Sequence, residues 1–322
     1  MALTDEGIIR VDGLASRYVR LASGAKAHYM TAGEEGPAVL LLHGGLPGSS
    51  ATAGWRFMAP FLGAHGFRVY APDMPGYGLS DTAPEHRPKG LHTQVEFLHE
   101  FVTALCLDRF HIAGNSMGCM NSVNYITAHP EKILSFALIA GDFGDVTAHL
   151  LPRPAGSFVP NYDGTRESMR ENLRAIIHKS EAITDDLVDM RHGAAQRHVE
   201  GAPEYFAAMM EYVNQTFSDP NLAARLSTKG RFDKLTIPGV YLYGQDDVLC
   251  PVEWGYEQEK ALPNVQCFYP PDTGHQGQTD QPELFNQLFL EFFRDGVITR
   301  QTADAAGVSK NRPEIASIVG QA

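Results

Sequence analysis

The sequence predicts an α/β fold: a mostly parallel central sheet flanked by helices, with a helical lid insert. Three observations carry the prediction. Short apolar runs with strand character recur in the first half of the chain and again toward its end, helix-like segments separate them, and from Gly144 to Arg231 the strand signal disappears while helical patterning continues.

Tyr18-Val19-Arg20-Leu21 and Ala27-His28-Tyr29-Met30, on either side of a Ser23-Gly24 turn, read as two strands. After the punctuation of Gly33 to Pro37, Ala38 to Leu42 is a continuous apolar run, the pattern of a strand covered on both faces. Phe67 to Ala71 and Phe110 to Ala113 repeat it, separated by a helical stretch from about Thr93 to Leu105. Ile133 to Ala140 follows a helix that should stop near His129-Pro130, because the residue before proline disfavours the α region. Gly239 to Tyr243 and Val265 to Tyr269 complete the strands. The insert carries helical patterns at Thr165 to Ile177, Thr184 to Gln196 and Pro203 to Phe217, and Pro282 to Phe293 should form a closing helix ended by Gly296. The chain therefore divides into a core (1–143 and 232–297), a helical lid (144–231) and a polar C-terminal arm (298–322). The arm has no strand left to join and is expected on the surface, available to a second subunit.

With 43% hydrophobic and 20% charged residues, the 322-residue chain has the composition of an ordinary globular protein. Its formal net charge of -12 argues against a nucleic-acid surface, which needs clustered Lys and Arg, and points to a small-molecule partner. The acidic start MALTDEGIIR has no apolar stretch after a basic one, and no segment has the roughly 18 uninterrupted apolar residues of a spanning helix. No membrane association and a cytoplasmic location are expected. Cys106, Cys119, Cys250 and Cys267 are far apart, without CxxC or zinc-like spacing, and read as reduced core thiols. His111, His129, His192 and His198 read as structural or solvated, so no metal is expected.

Gly114-Asn115-Ser116-Met117-Gly118 fits G-x-S-x-G, directly after an apolar strand and before a helix. A sharp turn there forces the serine into strained backbone angles, and the flanking glycines avoid collision with the strand and helix. Serine needs a base and an orienting acid farther along the chain. Asp247, in Gly244-Gln245-Asp246-Asp247-Val248-Leu249-Cys250-Pro251, and His275, in Asp272-Thr273-Gly274-His275, each follow a predicted strand. Asp246 is the rival acid; Asp247 is preferred because it fits the Gly-x-x-Asp-x-x-x-Pro spacing. Two donors are needed for the oxyanion of acyl transfer: the backbone N–H of Met117, and one from His43-Gly44-Gly45-Leu46-Pro47-Gly48, assigned to Gly45. His43 is read as a structural hydrogen-bonding residue.

With these motifs the chain resembles α/β-hydrolases over nearly its full length, and among them the meta-cleavage-product hydrolases, which break a carbon–carbon bond in ring-opened aromatic compounds. The matching segments are His43-Gly44-Gly45 with Pro47-Gly48, the Gly114–Gly118 motif, Asn161 to Met169 at the entry to the lid, and Arg191 in Asp185-Asp186-Leu187-Val188-Asp189-Met190-Arg191. The resemblance implies that Arg191 binds a substrate carboxylate and that Asn115 hydrogen-bonds near the oxygens of a dienol-oxo acid. Other readings are a salt bridge from Arg191 to Asp185, Asp186 or Asp189, and a buried structural amide at Asn115. Gly44, Leu46, Phe57 and Gln276 would line the substrate.

Departures from the family pattern fall at Leu46 and Cys119, where glycine is usual, at Phe57, where an asparagine is usual, and at Gln276, where a tryptophan is usual. The last two would alter pocket walls. The implied reaction is hydrolysis of a 2-hydroxy-6-oxo-dienoate through an acyl-enzyme, without a metal or organic cofactor, in a homo-oligomer. The alternatives are a carboxylesterase or lactonase using the same triad, and a ligand-sensing α/β-hydrolase receptor.

Overall fold

A computed structural model describes residues 3–144, 159–201 and 227–321, with isolated positions 203, 207, 220, 221 and 224. Eight strands form one sheet: β1 (Ala15–Arg20), β2 (Lys26–Ala32), β3 (Ala38–Leu42), β4 (Arg68–Pro72), β5 (Phe110–Asn115), β6 (Ile133–Ile139), β7 (Gly239–Leu242) and β8 (Val265–Phe268). Their order is β1-β2-β4-β3-β5-β6-β7-β8. β2 runs antiparallel to both β1 and β4, and every other pairing is parallel. β3, β5, β7 and β8 are buried at every position, as strands covered on both faces must be, whereas β1, at the edge, is half-buried or exposed throughout.

Among the described residues the α-helices are α1 (Ala51–Trp55), α2 (Met58–Ala64), α3 (Leu91–Ala104), α4 (Met117–Ala128), α5 (Arg166–Ile176), α6 (Asp185–Arg197), α7 (Val252–Ala261), α8 (Gly277–Asp280), α9 (Pro282–Asp295) and α10 (Arg300–Ala305). Their ends follow local chemistry. Thr165 and Thr184 cap α5 and α6 by accepting from Ser168 N and Leu187 N, and Gly296 ends α9 in the left-handed region at φ 71°. Helices α5 and α6 pack on each other within the predicted insert. The third helical pattern of the insert, Pro203 to Phe217, lies almost wholly outside the described residues.

The parallel register places the site. Leu42 pairs with Gly114, Asn115 with Ile139, Ile139 with Leu242, and Leu242 with Phe268. The segments that follow β3, β5, β7 and β8 therefore leave the sheet on one carboxyl edge, where open α/β folds bind ligands.

Two expectations are corrected. The C-terminal arm is not a free surface arm: Tyr269 N donates to Gly307 O (2.8 Å), Ser309 N donates to Cys267 O (2.9 Å), and Ile315 N donates to Gln266 Oε1 (2.8 Å). β8 is an edge strand with unpaired backbone groups, and the arm caps it while burying Val308, Ile318 and Val319. Cys119, Cys250 and Cys267 are buried free thiols as expected, but Cys106 is exposed.

Candidate active site

Ser116 sits between β5 and α4 at φ 56°, ψ -117°, a backbone conformation that L-residues rarely adopt. The turn is held by Ser116 N donating to Ile139 O (2.9 Å). Its tightness explains the flanking glycines: a Cβ on Gly114 would lie 2.1 Å from Gly118 O, and one on Gly118 would lie 2.1 Å from Leu42 O. Helix α4 has no side-chain cap, so the Ser116 hydroxyl is not used on its own helix and the helix start faces the same space.

Across the sheet edge, His275 Nδ1 meets Asp247 Oδ2 at 2.8 Å, with both residues buried. The other Asp247 oxygen accepts from Leu249 N (2.9 Å) and Cys250 N (2.8 Å), which fixes the carboxylate and leaves Nδ1–H as the donor. Asp246 is exposed and turns to Thr273 N (3.3 Å). Burial alone would lower the His275 pKa, but the charge and hydrogen bond of Asp247, with a contribution from Cys250, raise it above the ordinary value. His275 Nε2 is buried and has no hydrogen-bond partner. The loop is held from behind by Asp280, whose carboxylate accepts from Gly274 N (2.8 Å) and Lys179 N (2.9 Å), and by Gln276 N donating to Ile176 O (3.1 Å).

The glycine loop after β3 lies against this serine. A Cβ on Gly44 would be 3.6 Å from Ser116 Cβ, and one on Gly45 would be 2.9 Å from Met117 Cβ. His43 Nδ1 donates to Gly44 O (2.7 Å) while His43 Nε2 accepts from Met74 N (3.0 Å), and Tyr77 Oη donates to Gly45 O (2.8 Å). Burial lowers the His43 pKa, in keeping with a neutral ring that donates at one nitrogen and accepts at the other. In a trans peptide the N–H points opposite the carbonyl, so pinning these two carbonyls sets the directions of the Gly45 and Leu46 N–H groups.

Arg191, on α6, is fully buried. Its Nη2 donates to Pro47 O (2.9 Å) and Ser49 Oγ (3.2 Å), which ties α6 to the glycine loop. Nε and Nη1 are buried without partners. The alternative ion pair for Arg191 is not formed with Asp185 or Asp189, which pair with Arg166, and in the case of Asp185 also with Arg170. Burial, with the nearby charge of Arg56, pushes Arg191 down to about 10, still a cation at neutral pH.

Of the other candidates, Asn115 is buried and its amide nitrogen donates to His275 O (2.9 Å) and Ile139 O (3.3 Å), leaving Oδ1 without a partner. Gln276 is buried beside His275, and Leu46 is half-buried. Phe57 is not brought into this cluster: it is 39% exposed, with the Arg56 guanidinium 4.3 Å from its ring centroid. The preceding residue, Arg56, is the buried one at 6% exposure, and burial pushes its pKa down to about 10. Sequence reading missed Arg56; its signal was a cation directly after an apolar helical run ending in Trp55.

The strained serine, the buried His–Asp pair and the glycine loop make the arrangement of a serine-nucleophile hydrolase on an open α/β sheet. The alpha/beta hydrolase fold family matches residues 37–282, and the chain belongs to that family. It is 29% identical over 290 residues to the 2-hydroxy-6-oxo-6-(2'-aminophenyl)hexa-2,4-dienoic acid hydrolase of Metapseudomonas resinovorans, covering 88% of this chain and 92% of the relative. It is 27% identical to the 2-hydroxy-6-oxo-6-phenylhexa-2,4-dienoate hydrolase of Burkholderia cepacia, covering 85% and 93%. Among solved structures, the meta-cleavage product hydrolase of Pseudomonas fluorescens IP01 superposes with a TM-score of 0.71 at 26% identity, over 87% of this chain and 98% of that one. Among the described residues, no helix is long and apolar enough to cross a membrane.

Proposed function

We propose that the protein hydrolyses a carbon–carbon bond in a 2-hydroxy-6-oxo-dienoate formed by ring opening of an aromatic compound. Ser116 is the nucleophile, His275 the general base and acid, Asp247 its orienting partner, and the N–H groups of Gly45 and Met117 the oxyanion donors. The observation that carries this reading is the buried Arg191, whose Nε and Nη1 have no partner beside the glycine loop. A buried cation with unused donors is costly unless an anion completes it, and a planar guanidinium suits a carboxylate held by two hydrogen bonds. An ester hydrolase acting on neutral substrates has no use for it.

In this reading the substrate carboxylate meets Arg191, with the charge of Arg56 behind it. The dienol ketonises by moving its hydroxyl proton to the carbon next to the side-chain ketone, so the bond to be broken gains an electron sink. The open Nε2 of His275 takes the proton of Ser116, and Oγ attacks the ketone carbon. The carbon–carbon bond breaks, its electron pair passes into the departing dienolate, which takes the proton back from His275 and leaves as the hydroxy-dienoate, and the acyl group remains on Ser116. Water activated by His275 then releases the acid and restores the serine.

The test is a parallel assay of the purified protein on a coloured dienol-oxo acid, aryl esters and a lactone, with wild type and Arg191→Ala. Dienol-oxo acid turnover should exceed that of esters. Loss of charged hydrogen bonds worth about 1.5–3 kcal/mol each should cost Arg191→Ala roughly 10–10³-fold in kcat/KM on the acid and little on esters. Fast ester turnover without carbon–carbon cleavage, unaffected by Arg191→Ala, would establish the esterase reading instead. Saturable binding without turnover would establish a sensor.

A further inference from the structure

The Cys250 thiol takes no bond-making step in the reaction above, yet it lies beside the His–Asp pair. The turn that brings Leu249 N and Cys250 N onto Asp247 Oδ1 folds the chain back over the carboxylate. One donor atom from each of Asp247, Cys250 and His275 lies within 4.8 Å of the other two, and all three residues are buried. Bonds of roughly 2.0–2.3 Å to sulfur, imidazole nitrogen and carboxylate oxygen place the ligands of a tetrahedral ion about 3–4 Å apart, so an ion requires Nδ1 and Oδ2, 2.8 Å apart across their hydrogen bond, to open slightly. Mixed sulfur, nitrogen and oxygen donors suit zinc and related divalent ions better than calcium or magnesium, which prefer oxygen.

We propose that Asp247, Cys250 and His275 form an inhibitory site for a thiophilic divalent cation such as Zn²⁺. The ion takes the place of the proton between His275 Nδ1 and Asp247 Oδ2. Cys250 binds as thiolate and releases its proton to solvent, and a neutral imidazole bound through Nδ1 keeps its one proton on Nε2. Thiolate and carboxylate balance the charge of the ion, which makes the occupied site neutral in its buried setting. With Nε2 carrying hydrogen, His275 no longer accepts the proton of Ser116. The inhibitory consequence rests on the proposed role of His275, whereas ion binding rests on the three ligands alone.

The experiment titrates the whole protein with Co²⁺ and Zn²⁺, using wild type, Cys250→Val and Cys250→Ser. Both variants keep the backbone N–H that holds Asp247, and their thermal melts establish folding. In wild type, Co²⁺ should produce a thiolate-to-cobalt charge-transfer band that both variants lack. Zn²⁺ should inhibit turnover, and a chelator should reverse the inhibition. With inhibition read relative to each variant's own metal-free activity, the variants should need at least about 10-fold more Zn²⁺ than wild type, the low end of the loss expected when part of a metal site is altered. Absence of the band, or equal Zn²⁺ inhibition in wild type and both variants, overturns the site. A Cys250-dependent band with turnover untouched supports the metal site and overturns inhibition through His275, and with it that residue's assignment as the base.

Discussion

Among the described residues two buried histidine–aspartate pairs have nearly the same geometry, and the proposed function gives chemistry to only one of them. His28 Nδ1 meets Asp73 Oδ2 at 2.7 Å, and His275 Nδ1 meets Asp247 Oδ2 at 2.8 Å. His28 Nε2 even lies 3.0 Å from a serine oxygen, Ser16 Oγ. The differences lie at the far ends of the pairs. Ser16 donates its hydroxyl hydrogen to Glu6 Oε2 (2.9 Å) and sits inside the extended strand β1, whereas Ser116 sits on a strained turn beside the glycine loop. Asp73 also accepts from Ala51 N and Leu79 N, both at 2.7 Å, so it joins the start of α1 to the loop after β4. His275 Nε2, by contrast, has no partner. On the proposed mechanism the difference that matters is the second nitrogen, placed against Ser16 in one pair and without a partner in the other.

The largest expected effects fall on the second pair. Ser116→Ala should lower turnover by on the order of 10⁴–10⁶ while leaving the melting temperature near that of wild type. Asp247→Asn should lower kcat by about 10⁴, because the imidazole loses its orienting acceptor. The same change removes the charge that raises the His275 pKa, so the acid limb of the pH–rate profile should move to lower pH even as the plateau falls. A limb that stays in place in Asp247→Asn would separate that carboxylate from the titrating base.

The first pair should answer in stability instead. Asp73 is buried and accepts from His28 and two backbone N–H groups, and leaving buried groups of such a set unpaired costs about 1–3 kcal/mol each, so Asp73→Asn should lower the urea midpoint sharply while the folded fraction keeps near-wild-type kcat. Burial opposes ionisation of Asp73, but His28 and the backbone donors prevail and hold its pKa below the usual carboxylate value. A depressed carboxylate contributes stability above its unfolded pKa and loses it as pH falls through the folded value. The acid side of the stability profile should therefore be shallower in Asp73→Asn than in wild type.

The same contrast explains what could be read from the sequence. Ser116 was legible because its motif is local: strand, five residues, helix. His275 and Asp247 were legible because each directly follows a strand, and the spacing that singled out Asp247 agrees with the residue that meets His275. His28 and Asp73 are 45 positions apart, and no local pattern joins them. Arg56 was passed over because α1 spans only Ala51–Trp55, too short for a clear apolar period, so nothing assigned a face to the residue at its end. The C-terminal arm was misread for a related reason. Its pairing with β8 comes from isolated bridges such as Phe268 with Val308, which leave no alternation in the sequence.

Ser16→Ala is the smallest change and isolates the comparison. It removes one hydrogen bond beside His28 and should cost about 0.5–1.5 kcal/mol of stability, with no effect on kcat or KM. The decisive measurement is the double variant. If only Ser116 is a nucleophile, Ser16→Ala/Ser116→Ala should retain the same residual turnover as Ser116→Ala. A further fall, with folding intact, would mean that Ser16 takes part in catalysis despite its bond to Glu6. Equal residual rates would place the whole distinction between the two pairs where the geometry puts it, in the open nitrogen of His275 and the strained turn that presents Ser116.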